Sequence, residues 1–387
     1  MFLGFLIMGT YACDEAPLLS DDTSRNLFAP SSLVWMPGDA YFLIANANVR
    51  LEDTTSSLVL MDPQTQTLLK PSKTSTLNFG TYPTIDVTRN RILVPDFDRF
   101  LLSFTFSATN NAQQPFLIKQ DNIRTQTQAL PHALEVDDQP TQLQIVSTTE
   151  HGDLYIMVHG SGVLSVIKAD DVTLMDLHAE ERYTGFRLTS VLGGTSINSF
   201  PAQGARGLYH DDQSNLLYVT SPIRNLIYVF DPEHLENEGV IDLNSVAGNT
   251  TGIVDMVIDP QGRAIIAHQG LQSLIVMDIS QVSDNGVSME VIQPLIAGIV
   301  PTAGVPESLE LSADGQMLYV SFSDTNEIAE VDLSVLQIKR RMTLSQGVGP
   351  SDMALDANSG LLWVLNSLSN SMTSIDLITF EEAGEAQ

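Results

Sequence analysis

Cysteine is almost absent from this sequence: Cys13 is the only one in 387 residues. A single cysteine excludes any disulfide within the chain. Stability must therefore come from the burial of apolar surface and from hydrogen-bonded secondary structure.

Basic residues are also scarce. The chain carries 18 Lys and Arg against 47 Asp and Glu, which gives a formal net charge of -29. This charge repels a polyanion at long range, so nucleic acid is not expected as a partner. The acidic surface has two other interpretations, solubility in an exposed or salty environment and attraction of cations or cationic partners.

Local catalytic motifs are missing as well. The sequence has no Gly-x-Ser-x-Gly, no phosphate-binding glycine loop after a strand, and no free cysteine besides Cys13. No two histidines have the His-x-His or His-x-x-x-His spacing of a local metal site. These absences count against nucleophilic hydrolases and nucleotide enzymes. They leave open whether the chain is an enzyme, and they favour a non-catalytic role.

The N-terminus has the layout of a secretory signal. An apolar run, residues 2–8, is followed by Gly9, Thr10, Tyr11 and Ala12 directly before Cys13. The run is too short to span a bilayer. Ala12-Cys13 resembles a bacterial lipoprotein signal, which implies lipidation of Cys13, a tether over residues 14–32, and a periplasmic or extracellular protein of the cell envelope that meets the membrane only through this anchor. An ordinary cleaved signal peptide and a buried first strand are the alternatives.

A strand, tight turn and strand recur along the rest of the chain. The clearest copies begin at Pro306 and Pro350, with Asp314-Gly315 and Asn358-Ser359-Gly360 at the turns. Further copies begin near residues 34, 82, 143, 207 and 252, and a third strand follows each pair where the pattern is clear. In five copies the third strand ends in an aspartate predicted to cap the next turn: Asp62, Asp231, Asp278, Asp332 and Asp376.

Seven such units cannot each bury two apolar sheet faces unless neighbouring units cover them. Stacking around a closed ring covers every face and leaves only short strand edges. The sequence therefore predicts an all-β fold, a seven-bladed β-propeller of four-stranded antiparallel blades over residues 33–380, followed by a tail, residues 381–387. The long intervals 107–142 and 169–205 are predicted surface insertions.

The second strands carry a family resemblance. Leu318-Tyr319-Val320-Ser321, Leu217-Tyr218-Val219-Thr220 and Leu362-Trp363-Val364-Leu365-Asn366 resemble the repeat of the YVTN-repeat β-propeller family. The resemblance implies a secreted or surface propeller, often of unassigned role, with lactone-hydrolysing enzymes among more distant relatives.

The ends of the second strands are candidate ligand-binding positions, because they share one face of a propeller with the loops that enter each blade. Two interpretations stay open: ligand contact, or hydrogen bonds that tie the following loop. The ligand-binding candidates at these ends are Asn46, Asp96, His159, His268, Gln269 and Asn366. The second strands of the two remaining units end at Ser221 and Phe322.

The innermost strands supply a second set. Alignment on the hairpin turns places Asp255, Ser308 and Asp352 at equivalent positions, with Glu307 beside them. Asp255, Glu307 and Asp352 facing a central channel would suit calcium, which prefers several oxygen ligands. The alternative is a hydrated acidic channel mouth. No other cofactor is predicted.

Two functions follow. The favoured one is a non-catalytic envelope or secreted scaffold that binds a protein or small-molecule ligand through its loop-rich face. The alternative is a metal-assisted hydrolase of lactonase type that uses the channel carboxylates. A structural spacer in an envelope assembly is a third option.

Overall fold

A computed structural model of the protein describes most of the chain from residue 30 onward. The described residues are 30–38, 41–46, 57–69, 74–75, 82–96, 100–111, 114–120, 133–135, 139–170, 172–174, 186–187, 189–190, 200–201, 204–248, 250–280, 282 and 290–386. Cys13 and the predicted tether as far as residue 29 lie outside these ranges.

The described chain is almost entirely β-strand, and seven sheets form the blades of a β-propeller. This confirms the predicted fold class and blade number. A helical turn, α1 (Asn244–Ala247), follows blade 4. Among the residues that the structure describes, no helix is long and apolar enough to cross a membrane.

Blades 1 to 3 each contain four main strands, with the outer position divided between short pieces or extended by an additional strand. Their strands are β1 (Pro30–Trp35), β2 (Phe42–Asn46), β3 (Ser57–Asp62), β4 (Thr67–Leu68) and β5 (Thr74–Ser75) in blade 1; β6 (Thr84–Asp86), β7 (Arg91–Asp96), β8 (Phe100–Asn111), β9 (Gln114–Gln120) and β10 (Ala133–Glu135) in blade 2; and β11 (Pro140–Thr148), β12 (Gly152–His159), β13 (Val163–Lys168), β14 (Thr173–Leu174) and β15 (Phe186–Arg187) in blade 3.

Blades 4 to 7 follow the four-stranded plan more closely. A separate hairpin, β16 (Thr189–Ser190) and β17 (Phe200–Pro201), precedes blade 4, whose strands are β18 (Leu208–Asp211), β19 (Leu216–Ser221), β20 (Leu226–Asp231) and β21 (Glu236–Asp242). Blade 5 contains β22 (Ile253–Ile258), β23 (Arg263–His268), β24 (Ser273–Asp278) and, after β25 (Glu290–Ile292), which pairs in parallel with β21, the outer strand β26 (Leu295–Pro301). Blade 6 contains β27 (Pro306–Leu311), β28 (Met317–Phe322), β29 (Glu327–Asp332) and β30 (Gln337–Thr343), and blade 7 contains β31 (Pro350–Asp356), β32 (Leu361–Asn366), β33 (Ser371–Asp376) and β34 (Glu381–Ala386).

The predicted insertions contribute strands of their own. In blade 2, β8 is long enough to pair with β7, β9 and β10. In the second insertion, β15 pairs with β13, and β16 pairs with β17. Backbone pairing thus attaches β9, β10 and β15 to their blades, whereas β16 and β17 form a separate two-stranded sheet.

The ends of the propeller differ from the predicted domain boundaries. Strand β1 begins at Pro30, so residues 30–32 belong to blade 1 and not to the tether. Strand β34 occupies most of the predicted tail and pairs with β33, with Asp376 opposite Glu381. The sequence of β34, Glu-Glu-Ala-Gly-Glu-Ala, has little strand propensity, so its conformation depends on pairing with its neighbour.

The turns from third to outer strands use the predicted aspartates. Asp62, Asp332 and Asp376 each accept a hydrogen bond from the backbone N–H two residues further on, and Asp231 and Asp278 do the same. The prediction that these carboxylates cap turns is confirmed.

Apolar packing connects every blade to both of its neighbours. Seven clusters of buried side chains each combine residues of two adjacent blades. The cluster that closes the ring joins blades 1 and 7, where Phe42 meets Trp363 edge to face with ring centroids 5.6 Å apart. Trp35 Nε1 also donates to the Leu355 carbonyl at 2.9 Å. Because β34 is the outer strand of blade 7 and β1 the inner strand of blade 1, side-chain packing rather than a shared sheet closes the ring.

Deletion of blade 7, from Pro350 onward, tests this closure. The deletion exposes the apolar faces of blades 1 and 6 that now pack on blade 7, so we expect insoluble protein. A chain that begins at residue 30 keeps all seven blades and serves as the control. Soluble protein with a cooperative unfolding transition after the blade 7 deletion would contradict the closed ring.

Candidate functional site

The central channel contains a cavity of about 340 Å³. Residues on or next to the innermost strands of all seven blades line it, including Leu33, Tyr82, Gln142, Arg206, Asp255, Ser308 and Asp352. Each innermost strand begins where the second strand of its blade ends, as in the pairing of Pro350 with Asn366. The innermost strands all begin on the same side of the propeller, and we call this side the channel-mouth face.

A bulge recurs at the start of the innermost strands. The pairing of first and second strands shifts by one residue after Pro30, Pro140, Ile253 and Pro350. In three blades the extra residue has a hydroxyl that donates to a carbonyl of the second strand: Ser31 to Ala45, Thr141 to Val158 and Ser351 to Leu365. A bulge of this kind re-aims the side chains that follow it.

The residue after the bulge occupies one equivalent position in every blade, counted from the strand pairings. We call these residues the channel ring: Ser32, Tyr82, Gln142, Gly207, Asp255, Ser308 and Asp352. In blade 4 a Cβ on Gly207 would lie 2.5 Å from the Tyr209 ring and 2.8 Å from Thr220 Oγ1, so a larger residue there requires these side chains to move.

Three members of the channel ring bind the backbone of the next blade. Gln142 Oε1 accepts from the N–H of Leu208 at 2.9 Å. Asp255 Oδ2 accepts from Leu309 at 2.7 Å and Asp352 Oδ2 from Leu33 at 2.9 Å. The innermost strand is a sheet edge, so its outward N–H groups have no ladder partner. The side chain of the preceding blade supplies one.

Other side chains connect further blades along the channel. Thr84 Oγ1 donates to the Leu143 carbonyl at 3.0 Å between blades 2 and 3. The Tyr209 hydroxyl donates to Asp255 Oδ1 at 3.1 Å between blades 4 and 5. Glu310 Oε1 accepts from the N–H of Leu355 at 3.0 Å between blades 6 and 7.

Burial changes the acidity of the channel carboxylates. Removal from water raises the pKa of Asp255 to about 6, that of Glu310 to about 7 and that of Asp352 to about 8. Hydrogen bonds from backbone N–H groups act in the opposite direction. For Asp352, the neighbouring charges of Asp255 and Glu310 raise the pKa further.

Some polar groups in the cavity take no part in these contacts. Ser308 is 5% exposed, and its hydroxyl makes no hydrogen bond to the residues described. The Tyr82 side chain is 38% exposed, and its hydroxyl also has no hydrogen-bond partner in the described ranges. Arg206 is exposed and lowers the pKa of Asp255, although it forms no ion pair within the described chain.

The candidate metal ligands all line the cavity, but they do not form a metal-binding group. Within the described ranges, no cluster of three or more His, Cys, Asp or Glu side chains is arranged to hold a metal ion. Asp255 and Asp352 direct their oxygens at backbone N–H groups of two strands each. Glu307 accepts from Gln269 Nε2 at 2.8 Å. Asp255 and Asp352 occupy equivalent positions and Glu307 lies one residue before that position in its blade, and the oxygens of all three accept hydrogen bonds from the protein.

The candidates at the ends of second strands lie mainly inside the blades. Asn46, Asp96, His159, His268 and Asn366 are all less than 5% exposed. Asn46 Nδ2 donates to Ser57 Oγ at 3.2 Å, His159 Nε2 lies 2.8 Å from Ser165 Oγ, and Asn366 Nδ2 donates to Thr373 Oγ1 at 2.9 Å. These side chains therefore hydrogen-bond to residues of the third strand of their own blades, whereas the sequence interpretation had them tie the following loop.

His268 and Gln269 have different environments. The N–H of Leu271 donates to His268 Nδ1 at 3.1 Å, so the proton resides on Nε2, which faces Asn225 Oδ1 at 3.2 Å. Burial lowers the pKa of His268, which favours this neutral form. Gln269 is half-buried, and its bond to Glu307 makes it the ligand-binding candidate that touches the channel wall.

Sequence reasoning missed Tyr82, Arg206, Tyr209 and Glu310. Tyr82 occupies the position of Asp352 in its own blade, and extension of the repeat alignment to blade 2 would have revealed it. Arg206 stands at the bulge position, which the linear pattern does not mark.

No protein-family model and no curated protein sequence matches this chain. Solved structures are similar to it in fold. Hydrazine synthase of Kuenenia stuttgartiensis has 13% identity and a TM-score of 0.61, over 93% of this chain and 99% of that chain. The β-propeller domain of Cps50 (Swd1) from Myceliophteria thermophila has 8% identity and a TM-score of 0.63, over 90% and 96%.

A third similar structure, a functionally unknown protein from Desulfotomaculum acetoxidans, has 13% identity and a TM-score of 0.59, over 85% of this chain and 92% of that chain. At these identities the likeness shows the propeller fold alone.

The channel carboxylates make stability depend on pH. Their pKa values in the folded protein, about 6 for Asp255, about 7 for Glu310 and about 8 for Asp352, exceed those of an unfolded chain, so the folded state binds more protons. The protonated carboxylates therefore stabilise the folded state at low pH, and this stabilisation is lost as the pH rises through these pKa values. We expect the free energy of unfolding to fall between pH 6.5 and 8.5, by on the order of 1–2 kcal/mol.

Urea denaturation at each pH measures this loss. The Asp352→Asn variant should show a smaller fall in the free energy of unfolding over the same pH range. The window starts above the range in which His268 titrates, since the pKa of His268 is lowered. The matched control is Asp332→Asn at an exposed turn, where serine hydrogen bonds lower the pKa. Stability that rises across this window would contradict the assignment.

Proposed function

We propose that this protein is a non-catalytic binding propeller that takes a ligand at the channel-mouth face. The observation that carries the proposal is the cavity of about 340 Å³ to which all seven blades contribute. A volume near the lower limit of small-molecule sites, with a few polar groups converging on it, is typical of ligand pockets. A protein partner that inserts a side chain would use the same opening.

The state of the channel carboxylates supports a binding role over a catalytic one. Asp255 and Asp352 each accept backbone N–H groups from two blades, so their oxygens are held by the scaffold. A lactonase-type mechanism needs several of these oxygens to converge on one cation. Among the described residues, the hydroxyls of Tyr82 and Ser308 line the cavity without a hydrogen-bond partner, so they are available to a ligand.

The proposal includes membership of the YVTN-repeat family and attachment to the cell envelope through Cys13. The support for the family is the Leu-Tyr-Val pattern, which lies on the second strands β19 and β28, with Leu-Trp-Val on β32. The support for the anchor is the apolar run before Ala12-Cys13. A lipid on Cys13 would hold the propeller at the membrane surface while its channel stays open to ligands.

A fluorescent reporter at the channel mouth tests ligand binding. The two native tryptophans are Trp35 and Trp363, and Trp363 is fully buried. Tyr82→Trp adds a partly exposed indole to the cavity wall. We expect compounds that raise the melting temperature of the protein to shift the emission of this indole, because they occupy the same cavity.

The matched control for the reporter is Tyr41→Trp, in the turn between the first two strands of blade 1. Stabilising compounds that leave the Tyr82→Trp emission unchanged, or that change both reporters equally, would count against a site at the channel mouth.

Expression of the full chain in a bacterium tests the anchor. Wild-type protein should incorporate labelled fatty acid and sediment with membranes, whereas Cys13→Ser should lose both properties. Ser31→Ala, further along the chain, should behave as wild type. Membrane sedimentation that survives Cys13→Ser would contradict lipid anchoring at this residue.

A further inference from the structure

The cavity at the channel mouth has an excess of negative charge. Four acidic side chains, Asp255, Glu307, Glu310 and Asp352, line it together with one basic side chain, Arg206. When the carboxylates are ionised, three negative charges remain without a counter-ion from the residues that line the cavity. The net charge of -29 on the whole chain adds a field that draws cations towards the opening.

The acceptor geometry favours an organic cation over a metal ion. The carboxylate oxygens are distributed around the cavity, and in the described part of the chain they form no metal-binding group. Each carboxylate oxygen has two lone pairs and can accept a second hydrogen bond. A protonated primary amine has three N–H donors that point in different directions, so it fits acceptors spread over several blades.

The hydroxyl of Ser308 is an independent indication of a ligand. Ser308 is 5% exposed, lines the cavity, and belongs to the channel ring between Asp255 and Asp352. Its two ring neighbours reach the backbone of the next blade, but its shorter side chain makes no hydrogen bond to the described chain. A hydroxyl that lines the cavity without a protein partner among the described residues is available to a ligand or to water.

Tyr82 completes the site from the opposite side of the ring. Tyr82 is 38% exposed and lines the cavity. Burial, and next the charge of Asp352, raise the pKa of its hydroxyl, so the phenol stays neutral. The face of an exposed tyrosine ring attracts ammonium groups within about 6 Å.

We propose that the channel mouth binds a small organic cation through a protonated primary amine, which the channel carboxylates, Ser308 and the ring of Tyr82 receive. This inference specifies the ligand class for the binding function proposed above and depends on that function. Binding of the amine favours ionised carboxylates, so it is coupled to proton release from Asp255, Glu310 and Asp352. Tyr82, Tyr209, Arg206 and Glu307 are the other titratable groups that face the cavity.

Calorimetric titration of the purified full chain with 1,4-diaminobutane tests the inference. The neutral compound of the same length, 1,4-butanediol, is the control ligand. We expect saturable one-to-one binding of the diamine at pH 8.5 and no binding of the diol. Affinity should fall about tenfold at pH 6, because proton uptake by the carboxylates removes about 1.4 kcal/mol of attraction. Buffers with different ionisation heats should reveal proton release.

Variants separate the site from diffuse attraction to an acidic surface. Glu307→Gln leaves the blade-to-blade backbone hydrogen bonds in place and should weaken diamine binding about fivefold, since one charged acceptor is lost. Ser308→Ala should weaken it by a smaller factor. Asp314→Asn makes the same change of net charge at an exposed turn and should bind as wild type.

The inference is overturned if the diamine shows no saturable binding, if Asp314→Asn weakens binding as much as Glu307→Gln, or if stoichiometric calcium displaces the diamine. The Tyr82→Trp reporter distinguishes this failure from failure of the proposed function. A shift of its emission by 1,4-butanediol or another uncharged stabilising compound, without diamine binding, refutes the amine and retains the binding pocket.

Discussion

The constraint on which the whole structure depends is that each blade has two apolar faces and cannot cover either of them alone. Sheets of this kind are stable only when both faces are packed against neighbours. Seven interblade clusters meet this requirement, and the cluster between blades 1 and 7 closes the ring. Closure does not use a shared sheet: the packing of Phe42 on Trp363 and two hydrogen bonds, from Trp35 Nε1 to the Leu355 carbonyl and from the Leu33 N–H to Asp352, hold the first and last blades together.

The same closure creates the chemistry of the channel. When seven sheets meet around an axis, the edges of their innermost strands lie side by side with unpaired N–H groups. Asp255 and Asp352 accept hydrogen bonds from such N–H groups across blade boundaries. Glu310, two residues after Ser308 on β27, does the same. Carboxylates that serve as acceptors in this position are removed from water and placed near one another. Their raised pKa values are therefore a consequence of the way the blades are joined.

The two sets of candidate residues had different outcomes for a physical reason. Asn46, His159 and Asn366 are polar residues at the ends of second strands, and they bind hydroxyls on the neighbouring third strands. A linear pattern identifies where such a residue lies on its strand but not whether its side chain meets a partner or solvent. Asp255, Glu307 and Asp352 were expected at the channel and line it, but each also accepts a hydrogen bond from an adjacent blade, which only the tertiary structure reveals.

The sequence by itself determined the repeat, the number of blades, the turn aspartates such as Asp332 and the polar character of the channel, because these depend on local periodicity and turn chemistry. The tertiary structure decided the boundaries at Pro30 and Ala386, the hydrogen bonds from one blade to the next, and the meeting of Tyr82, Arg206 and Ser308 around one cavity. The hydrogen bonds join residues on different blades, 45 positions apart between Glu310 and Leu355 and 319 apart between Leu33 and Asp352, and their geometry depends on the packing of whole sheets. No local pattern in the chain contains that information.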